Sequence, residues 1–202
     1  MPGLETGHVG GMGRVVNWSA FEWGGDAEWS RVSRVGGAVI LALYVLFLVY
    51  AARDSSGFLF PDNVNLMIHE AGHLFFSWSG RTVMLLGGTL GELIVPALCA
   101  AFFVSHRQTY GLVFSLFWFF ENFLYIGTYM ADARAHSLPL VNSDIGDWTI
   151  LFGQWGIPEY DQKIGHFVRF LGWIGMVSVV GWLAYRLYRD AYPPSELRPL
   201  EM

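Results

Sequence analysis

Charge is scarce in this sequence. Asp, Glu, Lys and Arg make up 14% of the 202 residues, against about 25% in a typical soluble domain. Lysine is nearly absent: Lys163 stands alone among twelve basic residues, the others being Arg. The net charge is −5 and no basic patch is interleaved with aromatic residues, which excludes a nucleic-acid partner. There is one cysteine, Cys99, inside an apolar run, so no internal disulfide forms and the thiol reads as a small buried hydrophobe. No internal repeat or low-complexity tract is visible. The first thirty residues lack a basic start followed by an apolar core and carry Glu5, Glu22, Asp26 and Glu28, unlike a signal peptide.

What is abundant is apolar surface. Hydrophobic residues make up 53% of the chain and aromatic residues 17%, with 16 Phe and 9 Trp; the mean hydropathy is +0.39. These values predict an all-α, polytopic membrane helix bundle with five to six hydrophobic segments. A polar, glycine-rich N-terminal tail is expected over 1–34, with Trp18, Phe21, Trp23 and Trp29 at the membrane interface. A membrane-embedded domain is expected over 35–188 and a polar C-terminal tail over 189–202. The first apolar run, 35–52, is long enough to cross the hydrocarbon core. A second helix is expected over 62–79, with Asp62 at its start and Gly80 as its stop. Further runs cover 82–104, 110–130 and 164–188, and a short apolar segment covers 149–157. Gly87 and Gly91 give a G-x-x-x-G spacing that allows close backbone approach, and Pro96 lies within the same run. Arg14, Arg31 and Arg34 put the N-terminus in the cytoplasm, and Arg186, Arg189 and Arg198 argue the same for the C-terminus. Five full spans would separate the termini, so the segment around 147–157 is expected to enter the membrane as a sixth element.

The second helix carries the chemistry. His69-Glu70-Ala71-Gly72-His73 is an H-E-x-x-H pattern. Positions i and i+4 share a helix face, so two imidazoles point the same way and suit two ligands of tetrahedral Zn²⁺. Glu70 is placed to act on zinc-bound water without ligating the metal. Asn65, His69, His73 and Ser77 form one polar stripe, which must face the bundle interior or a water-filled cavity. A catalytic zinc needs a third protein ligand and an open position. Asp147 is the first choice, since it begins a short apolar segment and its carboxylate would project into the bundle. Asp144, Glu92, Asp132 and His136 are the alternatives. Asn122 is a candidate oxyanion donor.

His69-Glu70-Ala71-Gly72-His73 in a membrane helix resembles the site-2 protease class of intramembrane zinc metallopeptidases. The segments Gly87-Gly88-Thr89-Leu90-Gly91-Glu92-Leu93-Ile94-Val95-Pro96, and Leu138-Pro139-Leu140-Val141 through Asp147-Trp148, are similar to membrane proteins of that broad type. In that class a later membrane segment supplies an Asp as third ligand, usually before a Gly; here Trp148 follows Asp147. The resemblance implies an integral, multi-pass protein of a bacterial cytoplasmic membrane. It further implies a zinc metalloendopeptidase that hydrolyses a membrane-protein or peptide substrate, with Glu70 as general base. Two other readings use the same residues. One is a non-enzymatic membrane protein with a structural zinc or a polar seam at the stripe. The other is a transporter with Glu92 and Glu121 on an ion path.

Overall fold

The computed structural model describes residues 28–139 and 145–192, and among these every regular element is helical. Six α-helices follow in order: α1 Arg34–Arg53, α2 Asp62–Phe75, α3 Arg81–Ser105, α4 Thr109–Ala131, α5 Asp147–Trp155 and α6 Asp161–Ala191. Short 3₁₀ turns, Ser77–Ser79 and Pro158–Tyr160, lead into α3 and α6. Four helices are long and apolar enough to cross a membrane: α1, α3, α4, and α6 with its preceding turn. The other two are short. At 1.5 Å per residue, α2 (14 residues) is about 21 Å long and α5 (9 residues) about 13 Å, against a hydrocarbon core of about 30 Å.

The helix starts follow local chemistry. Ser33 caps α1, its hydroxyl accepting the Gly36 N–H at 3.1 Å. Asp62 lies in the first turn of α2 and reaches back to accept the Leu59 N–H at 2.6 Å. The second helix is shorter than the sequence pattern suggests. Regular α-structure stops at Phe75, and the Ser79 hydroxyl bonds the Phe76 carbonyl at 2.5 Å, a local competitor to the helical ladder. Ser77 is exposed and falls outside the polar stripe. Conversely, α6 extends beyond the expected 164–188 at both ends. Arg134 grips both oxygens of Asp161 at its start, at 2.9 and 2.7 Å.

Helix α4 lies at the centre, packed on α3 to one side and α6 to the other. α1 lies outermost, against α6, and leaves Val39, Leu43 and Leu46 exposed. α2 and α5 fold onto the opposite flank, against α3 and α4. One core cluster joins Val113, Phe117, Met176 and Leu183 between α4 and α6. A second joins Leu85, Ile126, Tyr129, Trp148, Leu151 and Phe152 beneath α5.

Long-range hydrogen bonds sort the helix ends. The Ser30 N–H donates to Arg107 O (2.9 Å), the Val32 N–H to Asp190 Oδ2 (2.9 Å) and the Arg34 guanidinium to Ala191 O (2.7 Å). The start of α1, the α3–α4 turn and the end of α6 therefore share one end of the bundle, the Arg107 end. At the other, the Arg134 end, Gly57 abuts Thr128 and Thr149 donates to Ala133 O at 2.6 Å. The chain does not make a full crossing between α1 and α3. After Gly57 it turns back into the bundle, where the Phe60 N–H meets the Tyr50 hydroxyl (3.2 Å) and Asn65 bonds Glu121 in the middle of α4 (3.0 Å). α2 then climbs back to the Arg134 end, where His73 meets the carbonyl of Met84 in the first turn of α3. Residues 28–33 are pinned at the Arg107 end by the bonds given above; the remainder of the expected N-terminal tail, and the C-terminal tail beyond 192, lie outside the described residues.

Candidate metal centre

α2 presents Asn65, His69 and Gly72 to the bundle and Val64, Met67, Leu74 and Phe75 outward. Its buried face can approach α3 because the contact is glycine on glycine. A Cβ on Gly72 would overlap the Gly87 carbonyl, and one on Gly88 would overlap the His69 ring. The two glycines of α3 thus make a slot for the helix backbone and for one imidazole.

Three side chains converge in that slot. His69 Nε2 lies 3.1 Å and His73 Nε2 3.2 Å from the same atom, Asp147 Oδ2. The ligand atoms of His69, His73 and Asp147 all lie within 4.8 Å of one another. Asp147 opens α5, as its place before an apolar segment suggests, and it is held there by a tyrosine. Its N–H donates to the Tyr129 hydroxyl at 2.8 Å, and that hydroxyl donates to Oδ2 at 3.3 Å.

The outer edge of the His73 ring fixes its proton. A carbonyl only accepts, so His73 Nδ1, 2.8 Å from Met84 O, carries a hydrogen. In the neutral ring the Nε2 lone pair then faces Asp147. His69 Nδ1 faces the buried carboxylate of Glu92 at 3.4 Å, which leaves its Nε2 pointing at Asp147 as well. The His73 lone pair directed at a carboxylate oxygen calls for a cation between them, a proton on the ring or a metal ion, and His69 Nε2 meets the same oxygen at hydrogen-bond distance. Ligand atoms around a tetrahedral zinc with bonds of 2.0–2.2 Å stand about 3.4 Å apart, close to the 3.1 and 3.2 Å that separate Asp147 Oδ2 from the two rings. The donor set of two imidazoles and one carboxylate thus fits Zn²⁺.

Glu70 follows His69 on α2, is half-buried, and makes no hydrogen bond or ion pair among the described residues. The remaining candidates sit elsewhere. Asp132 closes a local turn, accepting from the backbone of Ser137 and Leu138 (both 3.0 Å) and from the Ser137 hydroxyl. His136 is exposed in the loop after α4, at φ 50°. Glu121 accepts from Asn65, which also donates to Asp62 (3.1 Å) and accepts from Trp118 (2.8 Å). Glu92 lies on the Nδ1 edge of His69, away from the Nε2 atoms, and is no alternative to Asp147 as ligand. Asn122 is not an oxyanion donor, because both its N–H groups are spent on the carbonyls of Glu92 (3.0 Å) and Trp118 (3.1 Å). Asp144 lies outside the described residues. No family model, curated protein or solved structure matches the chain.

Tyr129 and the Met84 carbonyl are the members of the site that sequence reasoning missed. Tyr129 is one aromatic residue in a helix dense with them, and a backbone carbonyl carries no residue signal.

Proposed function

We propose that the chain is a membrane-embedded zinc metallopeptidase, similar in kind to the site-2 class, acting on a membrane-associated protein or peptide. The observation that carries this reading is the convergence of two imidazole Nε2 atoms on one carboxylate oxygen, with the outer edge of each ring facing an acceptor. His69, His73 and Asp147 would hold Zn²⁺. When bound, the ion supplies Lewis acidity toward water and toward the scissile carbonyl. Glu70 takes the proton from the attacking water and returns it to the leaving amine. Tyr129 steadies Asp147, and the Met84 carbonyl orients His73. Hydrolysis would require water to enter from the Arg134 end, to which the first turn of α3 belongs.

In this proposal residues 35–188 form the hydrolase domain, flanked by polar tails, of a multi-pass protein of a bacterial cytoplasmic membrane. α2 and α5 are the fifth and sixth hydrophobic elements, entering the bilayer without crossing it. Support comes from the outward apolar face of α2 and from the buried Trp148, Leu151 and Phe152 of α5. Non-spanning backbone at membrane depth is tolerated where protein buries it.

The test is zinc content per chain in detergent-purified protein, followed by hydrolysis of a membrane-protein substrate. About one zinc is expected in the wild type and in Glu70→Gln, with little or none in His69→Ala and Asp147→Ala. Glu70→Gln is expected to lose hydrolysis while keeping its metal. A Glu70→Gln protein with full zinc and full activity sinks the mechanism. The non-enzymatic reading, in which the same three side chains merely tie α2 to α5, requires a wild type without zinc, or with a closed four-ligand site.

A further inference from the structure

We infer that Glu92 is the positioning residue of the centre, turning His69 so that Nε2 faces the metal position, and that Pro96 and Asn122 exist to hold Glu92 there. The inference rests on the zinc reading above. Glu92 is 1% exposed, and neither of its carboxylate oxygens nor His69 Nδ1 has a hydrogen-bond partner among the described residues. A buried carboxylate without a partner is among the costliest groups a membrane bundle can carry. The polar neighbour across from it is that same Nδ1, at 3.4 Å. Closing the gap by a few tenths of an ångström reaches ordinary hydrogen-bond range, about 2.7–3.2 Å. A carboxylate on the outer nitrogen fixes the tautomer and raises the basicity of the inner one.

The backbone of Glu92 is locked by an unusual arrangement. Four residues on, Pro96 has no N–H, so the Glu92 carbonyl loses its helical partner inside α3. Asn122 of α4, fully buried, donates to that carbonyl at 3.0 Å. The polar side chain of one span thus fills the vacancy that proline leaves in another. It does so at the residue whose side chain reaches α2. Along α3, Met84, Gly88, Glu92 and Pro96 recur at intervals of four and lie on one face. Met84 orients His73, Gly88 makes room for the His69 ring, Glu92 meets that ring, and Pro96 frees the carbonyl that α4 seizes.

The experiment measures Zn²⁺ affinity of the protein by chelator competition, together with the visible absorption of its Co²⁺ form. Glu92→Leu is expected to weaken zinc binding about 10- to 100-fold, the range for outer partners of metal ligands. It is also expected to change the Co²⁺ spectrum as His69 loses its orientation. Glu92→Gln keeps shape and one acceptor but loses charge, and about a fivefold loss is expected. Its elution on gel filtration checks that it folds. Asn122→Ala is expected to reproduce part of the Glu92→Leu loss. On a Pro96→Ala background, where α3 regains an N–H for the Glu92 carbonyl, Asn122→Ala is expected to cost less. If Glu92→Leu and Glu92→Gln bind Zn²⁺ as tightly as wild type with an unchanged Co²⁺ spectrum, the inference is overturned and the metallopeptidase reading stands. A wild type that takes up no zinc removes that reading and this inference with it.

Discussion

Tyr129 makes two bonds to one residue, accepting from the Asp147 N–H and donating to its carboxylate. Removing the hydroxyl leaves an unpaired amide at the first turn of α5 and a carboxylate free to rotate. Tyr129→Phe is therefore expected to lower zinc affinity about tenfold or more while the fold persists, measured by chelator competition and circular dichroism. Gly88→Ala is expected to be more severe, because its methyl would lie inside the His69 ring. At this scale the sequence was informative where chemistry is written in residue type and spacing. His69, Glu70 and His73 stand out because three ionisable groups on one apolar helix demand a reason. Asp147 was singled out by its position before an apolar segment. The roles of Glu92 and Asn122 were not legible, since both depend on which edge of a ring or which carbonyl a side chain meets after the helices have packed.

Between elements, the α2–α3 seam depends on absent side chains. Gly72→Ala would drive a methyl into the Gly87 carbonyl, and a loss of about 1–3 kcal/mol is expected from thermal unfolding in detergent. Gly153 on α5 is the control. A Cβ there meets nothing within 4 Å, and Gly153→Ala is expected to be neutral, or to stabilise by about 0.5–1 kcal/mol through helix propensity. Equal effects at the two sites would contradict the close seam. The G-x-x-x-G spacing signalled this contact from the sequence. The length of α2 was harder to read, because its apolar pattern continues through Trp78 while the helix ends at Phe75. The chain tightens into a 3₁₀ turn over Ser77–Ser79, with the Ser79 hydroxyl on the Phe76 carbonyl, and periodicity does not register that change.

Across the whole molecule, the conflict between five spans and two Arg-rich termini disappears. With four helices able to cross, the start of α1 and the end of α6 lie together at the Arg107 end. Arg31, Arg34, Arg107, Arg186 and Arg189 gather there, while Arg53, Arg81, Arg134 and Lys163 mark the opposite end. In a Cys99→Ala background, Gln108→Cys is expected to react with a membrane-impermeant maleimide from one side of the membrane only. Ala135→Cys is expected to react only from the opposite side. Labelling of both from one side would rule out this topology.

The return of α2 from mid-depth also bears on how the protein is made. Insertion machinery sorts nascent segments by length and apolarity, and a 14-residue helix bearing two histidines and a glutamate does not qualify for release into lipid by itself. Its docking face is built by α3 and α4, which leave the ribosome later. The segment that carries the histidines is therefore expected to dock only after its own receptor has been synthesised. The H-E-x-x-H pair precedes its receptor in the chain and is expected to settle after it.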